Sequence, residues 1–248
     1  MIIHDDGVLL DALLDLPENR GEKTPLVVLL HGFTGHKDEA HIVGVSRAMN
    51  RAGYATLRAD LYGHGKSGGE FRRHTLYKWL TNAMTLVDYA RSLPWAGDIF
   101  LCGHSQGGLT AMLAAAMERD RIRGLIALSP AAMIPEGARK GELLGIRFDP
   151  EHVPDALPAW GGLTLDGNYV RVAQTIHVEE AVARYRGPVL LVHGDRDEAV
   201  PPKCSEDAAA GYADAELVLI PGDDHCYSRH LDAVEKTVTD WLRAVSRG

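Results

Sequence analysis

A serine set between glycines, GHSQGG at 103–108, is where the chain offers a nucleophile. The apolar run DIFLC precedes it, and the helix-forming run LTAMLAAAMERD follows it. G-x-S-x-G between a strand and a helix is a nucleophile elbow, a turn sharp enough to strain the serine backbone and expose its hydroxyl. Gly103 and Gly107 are the small neighbours that such a turn requires. The helix opening behind Ser105 aims unpaired N–H groups at the same spot, where developing negative charge is stabilised. Behind this motif the partners come with the acid first and the histidine last. VLLVHG runs into DRDEAVP, offering Asp195 and Asp197, and ELVLIPG runs into DDHCY, offering His225. Each lies just past an apolar run, at the sheet edge where such sites form. The expected chemistry is attack by Ser105 on a carbonyl carbon, with His225 taking the proton.

Other reactive side chains carry less. His31, His36 and His41 are five residues apart, which places them on no single helix face. HExxH is absent, so neither a metal nor another cofactor is expected. His104 reads as support for the elbow, Cys226 as wall beside His225, and His230 as a solvated residue of the last helix. YGHGKSGG at 62–69 looks like a phosphate cradle, but G-x-x-x-x-G-K-[ST] ending at Ser67 needs glycine where Asp60 stands.

Positioning such residues takes a sheet. Apolar runs at 26–30, 54–58, 99–102, 122–128, 189–193 and 217–220 alternate with helical patterns near 39–52, 75–92, 106–119, 202–212 and 227–246. In the last of these Leu231, Val234, Val238, Trp241, Leu242 and Val245 share one face. Continuous apolar strands alternating with helices predict an α/β fold, a mostly parallel sheet covered on both sides. GVLLDALLDL at 7–16 is a leading antiparallel strand or hairpin. About 55 residues between Ala131 and Gly187 break the rhythm, against a usual connection of roughly 2–6. With four prolines and LTLDGNYVRV, read as a hairpin turning at Asp166-Gly167, this stretch is expected to be an inserted cap. The division is core at 1–130 and 187–248, cap at 131–186.

Composition excludes several classes. The 248 residues hold 26 Lys and Arg against 34 Asp and Glu, a net charge of −8 that disfavours a nucleic-acid partner. No apolar stretch approaches the ~18 residues of a membrane span, and acids occupy the N-terminus where a secretory leader is basic. Three cysteines without paired spacing fit a cytoplasmic enzyme with reduced thiols.

The motifs together resemble the α/β-hydrolases. In that family the late acid lies in HG-x-x-D-x-x-V, which on HGDRDEAV selects Asp197 and leaves Asp195 as a turn residue capping its own backbone. The family's HG-x loop, here His31-Gly32-Phe33, implies an oxyanion hole formed by the N–H groups of Phe33 and Gln106. Its D-x-x-G-x-G-x-S loop matches Asp60 to Ser67, which makes YGHGKSGG scaffold with Lys66 solvated. More narrowly, HGFTGH, RADLYGHGKSGG, HTLYKWLTNA, GHSQGGL, SPAAMIPE, NYVRVAQTI, HGDRDEAVP and IPGDDHCY resemble bacterial hydroxycinnamoyl (feruloyl or cinnamoyl) esterases over nearly the whole chain. That resemblance implies hydrolysis of feruloyl, caffeoyl or coumaroyl esters, and a homodimer. Substrate contacts are expected from Gly32 and from the cap residues Met133, Ile134, Leu143, Leu144, Trp160 and Tyr169, with Tyr169 and Gln174 within reach of a phenolic hydroxyl. Two alternatives use the same fold: a broad carboxylesterase or monoacylglycerol-lipase-like enzyme, and a non-catalytic ligand-binding protein.

Overall fold

A computed structural model describes residues 1–143 and 145–247. The chain opens with a hairpin of β1 (Ile2–Asp5) and β2 (Val8–Asp15). Then β3 (Thr24–Leu30), α1 (Ala40–Arg51), β4 (Ala55–Ala59), α2 (Leu76–Ser92), β5 (Ala96–His104), α3 (Gln106–Met117) and β6 (Gly124–Leu128) alternate. The cap follows as α4 (Ile134–Lys140), β7 (Glu142–Leu143), β8 (Ile146–Arg147), β9 (Ala156–Pro158), β10 (Thr164–Asp166) and α5 (Asn168–Gln174). The chain closes with α6 (Val178–Arg184), β11 (Val189–Gly194), α7 (Lys203–Gly211), β12 (Ala215–Ile220) and α8 (Leu231–Val245).

Eight strands form one sheet in the order β1-β2-β4-β3-β5-β6-β11-β12. The leading hairpin joins it antiparallel through β2 and β4, and every pairing from β4 to β12 is parallel. The strands read as unbroken apolar runs because both faces are buried. Along β3, Leu26, Val28 and Leu30 enter the core on one side, and Val27 and Leu29 enter the core on the other. The two-residue period of a strand sends alternate side chains to opposite faces. The second core receives Val234, Val238, Trp241 and Leu242 of α8, the face predicted from spacing.

α3 is the axis of the first core. Every residue from Gln106 to Ala116 is buried, against α2, α6 and the sheet. Small side chains at Gly107, Gly108, Ala111 and Ala114 to Ala116 let the helix sink this far. A methyl group on Gly107 would stand 2.3 Å from the His31 carbonyl oxygen and 2.5 Å from that of Leu30.

The cap departs from expectation in two places. Residues 163–172 form no hairpin: β10 pairs back with β9, and the chain turns straight from Asp166 into α5. Gly167 is right-handed helical (φ −56°, ψ −16°), not the positive-φ residue of a hairpin turn. A side chain there would meet the Pro154 carbonyl oxygen at 1.9 Å, so close approach is what calls for glycine. Tyr169, Val170 and Ala173 form the buried face of α5, a spacing that a short alternating reading had absorbed as strand. At the far end of the insertion, α6 packs on α3 and α7, so the last helix of 131–186 covers the core.

Gly107→Ala is expected to lower unfolding free energy by at least ~2 kcal/mol, because the obstacle is backbone that does not yield; urea denaturation measures it.

Candidate active site

Ser105 ends β5 and starts α3 with φ 56° and ψ −121°, a conformation that costs a non-glycine residue roughly 1–3 kcal/mol. Three backbone hydrogen bonds hold it. Ser105 N–H donates to Leu128 O (2.9 Å), and Ser105 O accepts from Leu109 (3.1 Å) and Ala131 (3.0 Å). The glycines act by absence. A methyl on Gly103 would lie 2.1 Å from Gly107 O, and one on Gly32 would lie 3.0 Å from Ser105 Cβ.

Asp197 and His225, on the loops after β11 and β12, are brought together: His225 Nδ1–H donates to Asp197 Oδ2 at 2.6 Å. Asp197 Oδ1 accepts from the N–H groups of Ala199 (2.9 Å) and Val200 (2.8 Å). His193 Nε2, which also meets Val200 O at 2.9 Å, lies 3.1 Å from Asp197 Oδ2. Burial alone would raise the Asp197 pKa. Hydrogen bonds from His193, His225 and Val200 outweigh it and hold the carboxyl well below the usual carboxylate range. Asp197 is therefore ionised and fixes the His225 tautomer with Nδ1 protonated, leaving Nε2 as the basic nitrogen. Ser105 and His225 line one cavity.

Asp195 sits beside this pair without joining it. Its Oδ1 accepts from Gly222 N–H at 2.6 Å, tying the acid loop to the histidine loop where a cap on its own turn was expected. Arg196 N–H completes that tie by donating to Asp223 O (2.9 Å), and the Asp223 carboxylate accepts from Asp224, Arg229 and His230 N–H. His230 is the residue before α8, not within it. His193 and Asp223 escaped the sequence reading. HG and DD look like flanks of the chosen acid and base, and only tertiary contact gives them work.

The cavity measures about 460 Å³. Gly32, Phe33, Ser105, Gln106 and His225 form one side of it; Met133, Ile134, Leu143 and Trp160 form an apolar side from the cap. Gln106 is the first residue of α3, so its N–H has no acceptor within the helix and faces the elbow. Trp160 stands at the mouth, 59% exposed. Glu39, Glu198 and Cys226 lie on the His225 side. Burial pushes the Glu39 carboxyl up and the Cys226 thiol up to about 11.

Two expected contacts point elsewhere. Tyr169 is fully buried and its hydroxyl donates to Gln106 Oε1 at 2.6 Å, so the ring braces the elbow from the cap. Gln174 Nε2 donates to Ala138 O (3.2 Å) and Pro150 O (2.8 Å), joining cap segments. Neither lines the cavity, because each spends its polar end on a buried partner within the fold. Leu144 lies outside the described residues.

Under the elbow, His104 Nε2–H donates to His225 O at 2.8 Å, and its Nδ1 lies 3.1 Å from His41 Nε2. Burial holds both rings neutral, His41 at about 4 and His104 well below its ordinary value.

Asp197→Asn is expected to reduce kcat by about 10⁴, because the amide favours the wrong imidazole tautomer. The same variant tests the ionisation. A depressed carboxyl stabilises the fold above its unfolded pKa of about 3.9, and that contribution fades as pH falls toward the folded value. The stability gap between wild type and variant should narrow from pH 6 to pH 3 in urea titrations.

Residues 21–164 match the family model described as serine aminopeptidase, S33, and residues 166–247 match that of TAP-like protein. Est1E from Butyrivibrio proteoclasticus, solved with ferulic acid bound, is 58% identical, covers 100% of both chains and superimposes with a TM-score of 0.98. The human mitochondrial palmitoyl-protein thioesterase ABHD10 is 22% identical over 82% of this chain and 67% of its own. The monoacylglycerol lipase of Mycolicibacterium smegmatis is 26% identical over 81% of this chain and 80% of its own. With a strained serine at its elbow and a family model spanning more than half its length, the chain belongs to the serine aminopeptidase S33 family of α/β-hydrolases.

Proposed function

We propose that this chain is a serine carboxylic-ester hydrolase that releases hydroxycinnamic acids such as ferulate, caffeate and p-coumarate from their esters. The observation that carries the reading is the Asp197–His225 pair set on a cavity with Ser105 at one wall and apolar cap side chains at the other. Full-length likeness to a protein that binds ferulic acid supports the acyl group chosen.

His225 Nε2 takes the Ser105 proton as Oγ bonds to the ester carbonyl carbon. The carbonyl electrons move to oxygen, which the Phe33 and Gln106 N–H groups stabilise; one such donor is worth about 10²–10³ in rate. His225 returns the proton to the alkoxide as the C–O bond breaks, and the alcohol leaves. Water, deprotonated by His225, attacks the acyl-serine, and Ser105 leaves with the proton. No cofactor takes part. The planar cinnamoyl ring packs against Met133, Ile134, Leu143 and Trp160. We further propose a homodimer in the cytoplasm, a state that light scattering measures.

A broad carboxylesterase is the second reading. It is favoured by the inward turn of Tyr169 and Gln174, which leaves acyl recognition to shape on the cap side.

Ser105→Ala should abolish hydrolysis of methyl ferulate, by about 10⁶ in kcat, with the melting transition retained; near-normal turnover would refute the assignment. If shape selects the acyl group, kcat/KM for methyl ferulate and methyl cinnamate should agree within about tenfold, whereas a site built to bond the phenol discriminates by ~10⁴. Higher kcat/KM on aliphatic p-nitrophenyl esters than on methyl ferulate selects the second reading.

A further inference from the structure

Resting on the hydrolase reading above, we propose that His41, His104 and Cys226 form a binding site for a borderline-to-soft divalent cation such as Zn²⁺, and that its occupation switches the hydrolase off. The three residues come from α1, the end of β5 and the loop after β12, and no spacing in the sequence links them. Folding brings His41 Nε2, His104 Nδ1 and Cys226 Sγ to within 4.8 Å of one another. Two imidazoles and a thiol are the donor set that zinc prefers over magnesium or calcium.

The nitrogens already stand at ligand spacing. Tetrahedral zinc with Zn–N of about 2.0–2.1 Å and Zn–S of about 2.3 Å holds its nitrogens about 3.3 Å apart and its sulfur about 3.6 Å from each. The observed His41–His104 separation is 3.1 Å. The thiol lies within 4.8 Å of both nitrogens, so it has to close by at most about 1.2 Å, and Cys226 is exposed and borders the cavity, which gives a cation its way in. His104 also has the outer contact of a ligating histidine. Its Nε2–H is committed to the His225 carbonyl at 2.8 Å, which directs the Nδ1 lone pair toward His41. Binding then needs two proton movements. The His41 proton passes from Nε2 to Nδ1, and the Cys226 thiol gives its proton to solvent.

The inhibitory effect follows from where the ligands sit. His104 precedes Ser105 and bonds the His225 carbonyl, and Cys226 follows His225. Drawing Cys226 inward moves the His225 backbone and re-aims its ring. A displacement of about 1 Å at a reacting group costs on the order of 10² in rate.

The test separates binding from turnover. The Ser105→Ala protein, stripped with a chelator, is titrated with Co²⁺. One equivalent should produce visible d–d bands of a tetrahedral site and a thiolate-to-cobalt charge-transfer band. Cys226→Ser should lose the charge-transfer band, and His41→Asn should weaken binding at least tenfold. In the active enzyme, Zn²⁺ should cut p-nitrophenyl ester hydrolysis about 100-fold, with EDTA restoring it. Cys226→Ser, scored against its own metal-free rate, should need at least tenfold more Zn²⁺. Absence of the charge-transfer band at millimolar Co²⁺, or equal Zn²⁺ sensitivity of wild type and Cys226→Ser, overturns the proposal. The second outcome would put the cation on His225 itself.

Discussion

Everything at this site depends on one backbone conformation, the positive φ of Ser105. A side chain held there is strained, so the surrounding structure must over-determine it. It does so from β6 through the bond to Leu128 O, from α3 through Leu109 N–H, and from the start of the cap segment through Ala131 N–H. Those bonds form only if strand and helix approach within the contact distances that Gly103 and Gly107 allow. The buried α3 is the other half of this arrangement. Its alanines and glycines let the helix, and with it the Gln106 N–H, reach the sheet edge.

Charge is handled in two ways around that point. In the loop after β4, a buried ion pair fixes the chain. Lys37 Nζ meets Asp60 at 3.0 Å and Asp11 at 2.6 Å, and Asp60 also accepts from the N–H groups of Lys37 and Lys66. Burial opposes both charges. The mutual bonds overcome it, leaving the lysine above and the aspartate below its ordinary pKa. This is the work of YGHGKSGG: Asp60, Gly65 and Ser67 form a brace, Lys66 is exposed, and His64 accepts from Thr34 N–H beside Phe33. Nearer the serine, charge is excluded. Burial pushes His31 and His74 down to about 3 and His64 to about 4, so these rings pack with Trp79 and Phe71 as neutral aromatics. The ionised groups kept close to the reaction are those that face His225.

The sheet was legible because its signals are local. The unbroken apolar run of β3 and the stripe of α8 are properties of a few consecutive residues, and so are the glycines that frame Ser105. The meeting of Asp197 and His225 was legible through order and strand ends. What escaped were groups whose work comes from tertiary contact, with no local pattern to show it. His193 matters through a loop four residues on, Asp223 through the N–H groups before α8, and His41 through His104, 63 residues away. In the cap the local signal misled. NYVRVAQ satisfies an alternating pattern and a helical one, and only the fit of Gly167 against Pro154 decides between them.

Tyr169 gives the cap a role besides covering the site. Its hydroxyl bonds the side chain of the residue that follows Ser105, and both groups are buried. A buried hydrogen bond between neutral groups contributes only about 0.5–1.5 kcal/mol net, yet leaving one partner unsatisfied costs about 1–3. Displacing the cap would strand Gln106 Oε1 and the tyrosine hydroxyl together, so the cap position that shapes the cavity is also the one that satisfies this oxygen beside Ser105. The shape of the cavity and the packing beside Ser105 are thus set by one arrangement. The cavity-facing side of the cap can remain apolar because Tyr169 and Gln174 commit their polar groups within the fold.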